Sequence, residues 1–292
     1  MKITTGKMPF KGYETFYRIV GEASDKAPLL LLHGGPGSTH NYFEVLDALA
    51  ATTGRQIISY DQIGCGESYV EGHKELWTLE TWMEELEALR RWLHLDRVHL
   101  LGQSWGGMLI IAYLIDRQPK GVESVILSST LPSSSLWSHE QQRLISFMPE
   151  DEQQAIARAV ATGNFDADDY LKANDHYTVL HADEINDSTP ECFRRKKRFG
   201  MESYITAWGP NEYTPTGTLK DFEYTDRLHE IRQPALIISG TNDECTPLIA
   251  KTMYDRIPHS RWELLDGARH MTFIDKTEDY QAILAEWLRA KK

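Results

Sequence analysis

The chain has 292 residues, with 43 acidic against 31 basic side chains and a formal charge of −12 at pH 7. That balance speaks against a nucleic-acid partner, which needs clustered Lys and Arg to neutralise phosphate. The longest apolar run, residues 108–115, is far below the ~20 residues that span a bilayer.

Short apolar runs alternate with helical patterns, as a mostly parallel sheet with crossover helices requires. Residues 12–21 (GYETFYRIVG) alternate like an exposed antiparallel strand near the start of a sheet. Residues 28–33 (PLLLLH), 55–61 (RQIISYD), 97–103 (RVHLLGQ) and 122–129 (VESVILSS) read as strands buried on both faces. Between them, residues 79–93 place Leu79, Trp82, Met83, Leu86, Leu89 and Leu93 at the i, i+3, i+4, i+7 spacing of an amphipathic helix. Residues 105–115 are apolar almost all round and predict a central buried helix. The stretch 131–215 breaks the rhythm. It is rich in Glu, Gln, Ala and Asp with scattered aromatics and predicts a helical cap inserted between two strands. Residues 234–240 (PALIISG) and 261–266 (RWELLD) supply two later strands, and 279–288 a closing helix. The organisation expected is therefore a core of residues 1–130 and 216–292 interrupted by a cap at 131–215.

Chemistry enters at Gly102-Gln103-Ser104-Trp105-Gly106, a G-x-S-x-G placed where a buried strand meets an apolar helix. That context separates a nucleophile elbow from a chance match in a loop. His33-Gly34-Gly35-Pro36-Gly37 follows the first buried strand and lacks the G-K-[ST] ending of a phosphate-binding loop. Such a loop can aim a backbone N–H above the serine, so the expected oxyanion donors are the amides of Trp105 and Gly35. A serine hydroxyl needs a base and an orienting acid. Asp243 lies just past the PALIISG strand and His270 just past RWELLD. The order Ser, Asp, His is that of an α/β-hydrolase, and the expected triad is Ser104, Asp243 and His270.

HGGPG, DQIGCGES at residues 61–68, GQSWGG and the Asp243/His270 pair together resemble the prolyl iminopeptidase family of serine aminopeptidases. The likeness runs from about residue 28 to residue 270. Many members of that family carry arginine where this chain has Ile63, and the Ile63/Cys65 version resembles the branch that includes the tricorn-associated aminopeptidase. The resemblance implies release of an N-terminal proline or other apolar residue from short peptides through an acyl-enzyme, without metal or cofactor. It points to Glu244 and Glu212 as the anchor for a free α-ammonium. Read alone, they are an ordinary loop carboxylate and a surface one. Trp105, through its indole face, and Tyr204, Trp208, Tyr213 and Trp137 are candidates for an apolar first-residue pocket. The implied partners are short peptides with a free N-terminus, with no nucleic acid and no membrane.

Two other readings use the same residues. A carboxylesterase or amidase would keep the triad and ignore the ammonium, and a non-catalytic binding protein would keep only the fold. An epoxide hydrolase is disfavoured because that chemistry wants Asp in place of Ser104. The basic run 194–198 (RRKKR) reads as a solvated helix face of the cap. Cys65, Cys192 and Cys245 form no CxxC pair, so neither a zinc site nor a disulfide framework is expected. Free thiols, together with an N-terminus that has no apolar signal core, predict a cytoplasmic protein. Cys245, two residues past Asp243, is expected to be open to a bulky thiol reagent that would block the site.

Overall fold

In the computed structural model, which describes residues 1–290, the eight strands form one sheet in the order β1-β2-β4-β3-β5-β6-β7-β8. They are β1 Ile3–Phe10, β2 Tyr13–Val20, β3 Leu29–Leu32, β4 Ile57–Tyr60, β5 Val98–Gln103, β6 Val122–Ser128, β7 Ala235–Gly240 and β8 Ser260–Leu265. β1 and β2 pair antiparallel, β2 meets β4 antiparallel, and every other neighbouring pair is parallel.

The continuous apolar runs become central strands because both faces of the sheet are covered, and their residues divide by alternation. Leu30, Leu32, Leu100, Val125 and Ile237 face one core. They pack against α2 (Leu79–Trp92), α3 (Trp105–Ala112) and α9 (Pro247–Arg256). Leu29, Leu31, Leu101, Ile126 and Ile238 face the other. There they meet residues of α1 (Leu49–Thr53), of α10 (Thr272–Asp275) and of α11 (Thr277–Arg289). α2 starts where the Thr78 hydroxyl accepts the Thr81 amide, a side-chain N-cap. Its inner stripe is Trp82, Met83, Leu86 and Leu89.

Two parts of the sheet differ from the sequence reading. β1 is an additional strand: ITTGKMPF carries a Gly, a Pro and a Lys and buries only Met8 and Phe10, so it shows no strand periodicity. Gly6 leaves room there for the Tyr17 ring, whose hydroxyl would lie 2.3 Å from a Cβ across the ladder and would have to move aside. As β1 is the edge, β2 lies inside the sheet, and Thr15, Arg18 and Val20 are buried.

Between β6 and β7 the chain leaves the sheet for α4 (Ser134–Ile145), α5 (Glu150–Thr162), α6 (Asp168–His181), α7 (Glu191–Arg194) and α8 (Met201–Ala207). α4 to α6 share a small core of their own, built from Ile145, Ile156, Ala159, Tyr170, Ala173 and Tyr177. The basic run is not a helix face. α7 ends at Arg194, and beyond it Arg195 pairs with Glu44 and Glu191. Lys197 lies over the Tyr42 and Phe193 rings, and Arg198 over Tyr69. The run therefore straps the helical insert to the core by ion pairs and cation–π contacts. Among the described residues, no helix is long and apolar enough to cross a membrane.

Candidate active site

Ser104 sits between the end of β5 and the start of α3 with φ 54° and ψ −121°, a conformation a non-glycine residue adopts only when its surroundings impose it. Three glycines make those surroundings possible. A Cβ on Gly102 would lie 2.3 Å from the Gly106 backbone, one on Gly106 2.1 Å from the Leu32 carbonyl oxygen, and one on Gly107 2.4 Å from Thr130 Oγ1. Thr130 uses that hydroxyl to donate to the Ser104 carbonyl at 2.6 Å.

The loops after β7 and β8 are zipped together. Gly240 lets the Ala268 carbonyl pass where a Cβ would stand 1.9 Å away, and the Asn242 amide donates to that carbonyl at 3.0 Å. The result brings His270 Nδ1 to 2.8 Å from Asp243 Oδ1. Asp243 is held in turn by the amides of Cys245 and Gly240. Because a carboxylate only accepts, the neutral His270 ring carries its proton at Nδ1 and leaves Nε2 free to take one. Ser104 and His270 line one cavity of about 320 Å³, at the small end for ligand pockets.

The helical insert closes that cavity. Tyr170, Asn174, Tyr177 and Thr178 of α6, Tyr204 of α8, and Pro210 to Glu212 line it opposite the serine. Hydrogen bonds fix the insert to the loops: the His270 amide to the His181 carbonyl at 2.9 Å, and Gln141 Nε2 to the Glu244 carbonyl at 2.9 Å.

Glu244, from the loop after β7, and Glu212, from the stretch after α8, line the same cavity. Both Glu244 carboxylate oxygens are buried, and the Tyr177 hydroxyl beside them donates to Gln141 Oε1. Glu244 Oε2 lies 3.8 Å from His270 Nδ1. Glu212 Oε1 accepts from the Tyr204 hydroxyl at 2.5 Å. Burial raises the pKa of both carboxyls, and for Glu244 the charge of Glu212 adds to it. Burial works against a charged His270. The hydrogen bond and charge of Asp243, with the charges of Glu244 and Glu212, nevertheless carry it up to about 9.

The pocket aromatics sort differently from the sequence reading. Tyr204 lines the cavity. Trp137 and Trp208 are buried behind it, each donating its indole N–H to the Glu212 carbonyl, and Trp137 packs edge-on to His270 at 5.8 Å between centroids. Tyr213 bonds Tyr170 and Asn174. The Trp105 indole does not face the cavity as expected. It is 1% exposed, packs edge-on to Trp82 and donates to Gln62 Oε1 at 2.7 Å. Ile63 is likewise a core residue, 2% exposed. Residues 170, 174 and 177 were not singled out from the sequence. Their signal was hydrogen-bonding side chains at i, i+4 and i+7, where α6 would be expected to present an apolar stripe.

His33, Asp61 and Cys65 bring possible ligand atoms within 4.8 Å of one another, but those atoms already have partners. Asp61 accepts from His40 and from the Glu67 amide, His33 Nε2 from the Gln62 amide, and the Cys65 thiol, raised well above its usual pKa by burial, bonds the Gln62 carbonyl. The cluster is thus structural.

Cys245 contradicts the expectation that it is accessible. It is fully buried and donates to the Thr130 carbonyl at 2.9 Å, and burial pushes its thiol well above the usual pKa. Native protein is therefore expected to react slowly with an aromatic disulfide reagent, Cys192 first because it is 8% exposed against none for the other two. All three thiols should titrate on unfolding. Rapid native labelling of Cys245 with loss of activity would contradict this placement.

Residues 27–277 match the family described as alpha/beta hydrolase fold, the class that this sheet and elbow define. The chain is 61% identical to a protein named proline iminopeptidase from Lactobacillus helveticus, over 99% of this chain and 98% of that one. It is 58% identical to one so named from Clostridioides difficile, over 99% of each. Among solved structures, the proline iminopeptidase of Mycobacterium smegmatis superposes with a TM-score of 0.87 at 34% identity over 98% of each chain. VinJ superposes with a TM-score of 0.90 at 31% identity over 99% of each. The chain belongs to the proline iminopeptidase family of α/β hydrolases.

Proposed function

We propose that this enzyme releases an N-terminal proline from short peptides by two-step acyl transfer, with Ser104 as nucleophile, His270 as base and Asp243 as its orienting acid. The observation that carries this reading is the pair Glu244 and Glu212 in the cavity of Ser104, with Glu244 wholly buried and its neighbouring cationic nitrogen, His270 Nδ1 at 3.8 Å, already bonded to Asp243. A buried carboxylate with so little compensation takes up a proton, as the pKa of Glu244 raised to about 8 indicates, unless a cation completes it. The α-ammonium of a peptide is that cation, and an N-terminal proline brings two N–H donors for two carboxylates.

With the ammonium anchored, the first carbonyl comes to Ser104. His270 takes the hydroxyl proton as the Ser104 Oγ–carbon bond forms, then returns it to the leaving amine. Water, activated by the same ring, frees the amino acid. The oxyanion donors are the amides of Trp105, at the first position of α3 where no intrahelical acceptor exists, and of Gly35. The Gly34 carbonyl is turned to His33 Nδ1 and the Ser38 amide, so the Gly35 N–H across the same trans peptide plane points the opposite way. Gly34 is the poorer candidate because its own amide is already bound to the Tyr42 hydroxyl at 2.6 Å. The helical insert over the serine limits substrates to short peptides. Three free buried thiols fit a reducing, cytoplasmic setting.

A panel of aminoacyl arylamides tests the substrate. Prolyl arylamide should have the highest kcat/KM, with alanyl next and bulky aromatic residues far behind, since the cavity is small and walled by Tyr170, Tyr177, Phe199 and Tyr204. A preference for large side chains would contradict the assignment.

A further inference from the structure

Both proposed oxyanion donors are tied to a single buried side chain that the mechanism above leaves unused. Gln62, in the loop after β4, donates from Nε2 to the His33 carbonyl at 2.9 Å and from its backbone amide to His33 Nε2 at 3.0 Å. Its Oε1 accepts the Trp105 indole N–H at 2.7 Å. Every partner here has one possible role. A carbonyl only accepts and a backbone or indole N–H only donates, so the amide orientation of Gln62 and the tautomer of His33 are both fixed. With Nε2 accepting, His33 carries its proton at Nδ1, 2.9 Å from the Gly34 carbonyl oxygen. That oxygen belongs to the peptide plane whose N–H is Gly35. His33 and Gln62 are both 1% exposed or less. Burial lowers the His33 pKa to about 4, so the tautomer persists across neutral pH.

We propose, resting on the oxyanion assignment above, that Gln62 is a positioning residue that locks the Gly35 and Trp105 amides into one frame, through His33 on one side and the Trp105 indole on the other. The two donors lie on separate loops, after β3 and after β5. Transition-state stabilisation requires them to converge on one oxygen within a few tenths of an ångström. The strand ladder between β3 and β5 sets their spacing, and Leu32 and His33 carbonyl oxygens already abut Gly106. The ladder alone does not set the Gly34–Gly35 plane; the Ser38 amide and His33 Nδ1 both hold its carbonyl oxygen, and Gln62 holds His33.

Gln62→Met replaces the amide by an apolar chain of similar length and breaks both side-chain links, to the His33 carbonyl and to the Trp105 indole, while the backbone amide at 62 keeps its bond to His33 Nε2. Four quantities are compared in active-site-titrated wild type and variant: kcat and KM on prolyl arylamide, inhibition by free proline, and inhibition by the boronic-acid analogue of proline. In the last, Ser104 Oγ bonds boron, its proton passes to His270, and a boron-bound oxygen occupies the oxyanion position. The expected result is a fall of about 10- to 100-fold in kcat with a parallel loss of boronate affinity, and KM and proline inhibition within about twofold. Trp105→Phe, which removes the indole N–H together with part of the buried ring, should show a smaller loss of the same pattern. If Gln62→Met leaves kcat and boronate affinity unchanged, or weakens proline and boronate alike, the positioning role is overturned. If wild type itself binds the boronate no better than proline, the oxyanion assignment falls, and this inference with it.

Discussion

Ser104→Ala is expected to lower kcat/KM on prolyl arylamide by about 10⁴- to 10⁶-fold while leaving the circular dichroism and melting temperature close to wild type. Residual activity at the low end is what the oxyanion donors and substrate binding supply without a nucleophile. The fold should persist because the elbow is shaped by glycines at 102, 106 and 107, whose neighbours leave no space for a Cβ, and Ala at 104 keeps the backbone that those contacts impose. His270→Ala should be about as damaging, since base and nucleophile act as a unit. A purified Ser104→Ala protein with more than a few per cent of wild-type turnover would remove Ser104 from the chemistry.

The second large effect concerns the anchor. Glu244→Gln and Glu212→Gln each remove one charge from the proposed ammonium anchor, a change worth ~2–5 kcal/mol if it holds a cation. That corresponds to roughly 30- to several-thousand-fold in kcat/KM for aminoacyl substrates. The Glu244 variant carries a further signature. Its carboxylate lies 3.8 Å from His270 Nδ1 and helps hold that ring up at about 9. Removing a negative charge stabilises the imidazolium less, so the His270 pKa must fall. Because His270 acts as a base only when neutral, the ascending limb of rate against pH should move to lower pH in Glu244→Gln, measured on a neutral acyl ester that makes no use of the anchor. An unmoved limb, or an equal loss on ester and aminoacyl substrates, would assign Glu244 a structural role instead.

The wild-type enzyme faces the same electrostatics before substrate arrives. Two acidic side chains beside the triad favour a protonated histidine, which is the wrong state for a base. An ammonium bound between Glu244 and Glu212 offsets their charge and returns His270 toward neutrality. Substrates that carry the cation would then meet an active base and those without it would not.

Much of this arrangement was legible in the sequence because its signals are local. Continuous Leu and Ile runs between turn residues report strands covered on both faces, and G-x-S-x-G at a strand-to-helix junction reports the elbow. Asp243 and His270 could be read from their places after two late strands, since every parallel strand ends on the same edge. What escaped depends on contacts remote in sequence. β1 carries no periodicity because, as an edge, it buries only Met8 and Phe10. The basic run resembles a helix face until Glu44 and Tyr69, more than a hundred residues earlier, are seen to hold it. Trp105 follows Ser104 and Cys245 lies two residues past Asp243, yet both side chains point into the core, because neighbouring residues of a turn or helix project in different directions. Gln62 was visible only as a letter in DQIGCGES, and its partners lie 29 and 43 residues away.

The central claim is that a free N-terminal ammonium, held by Glu244 and Glu212 beside Ser104, is what makes a substrate. The most direct test compares kcat/KM of the wild-type enzyme on prolyl arylamide with that on its N-acetylated counterpart, which differs by the absence of the positive charge and the added acyl group. The account predicts a loss of at least about a thousandfold on acetylation, with an unacetylated alanyl arylamide still turned over. Equal rates on free and acetylated prolyl arylamide would contradict it and leave a general amidase in its place.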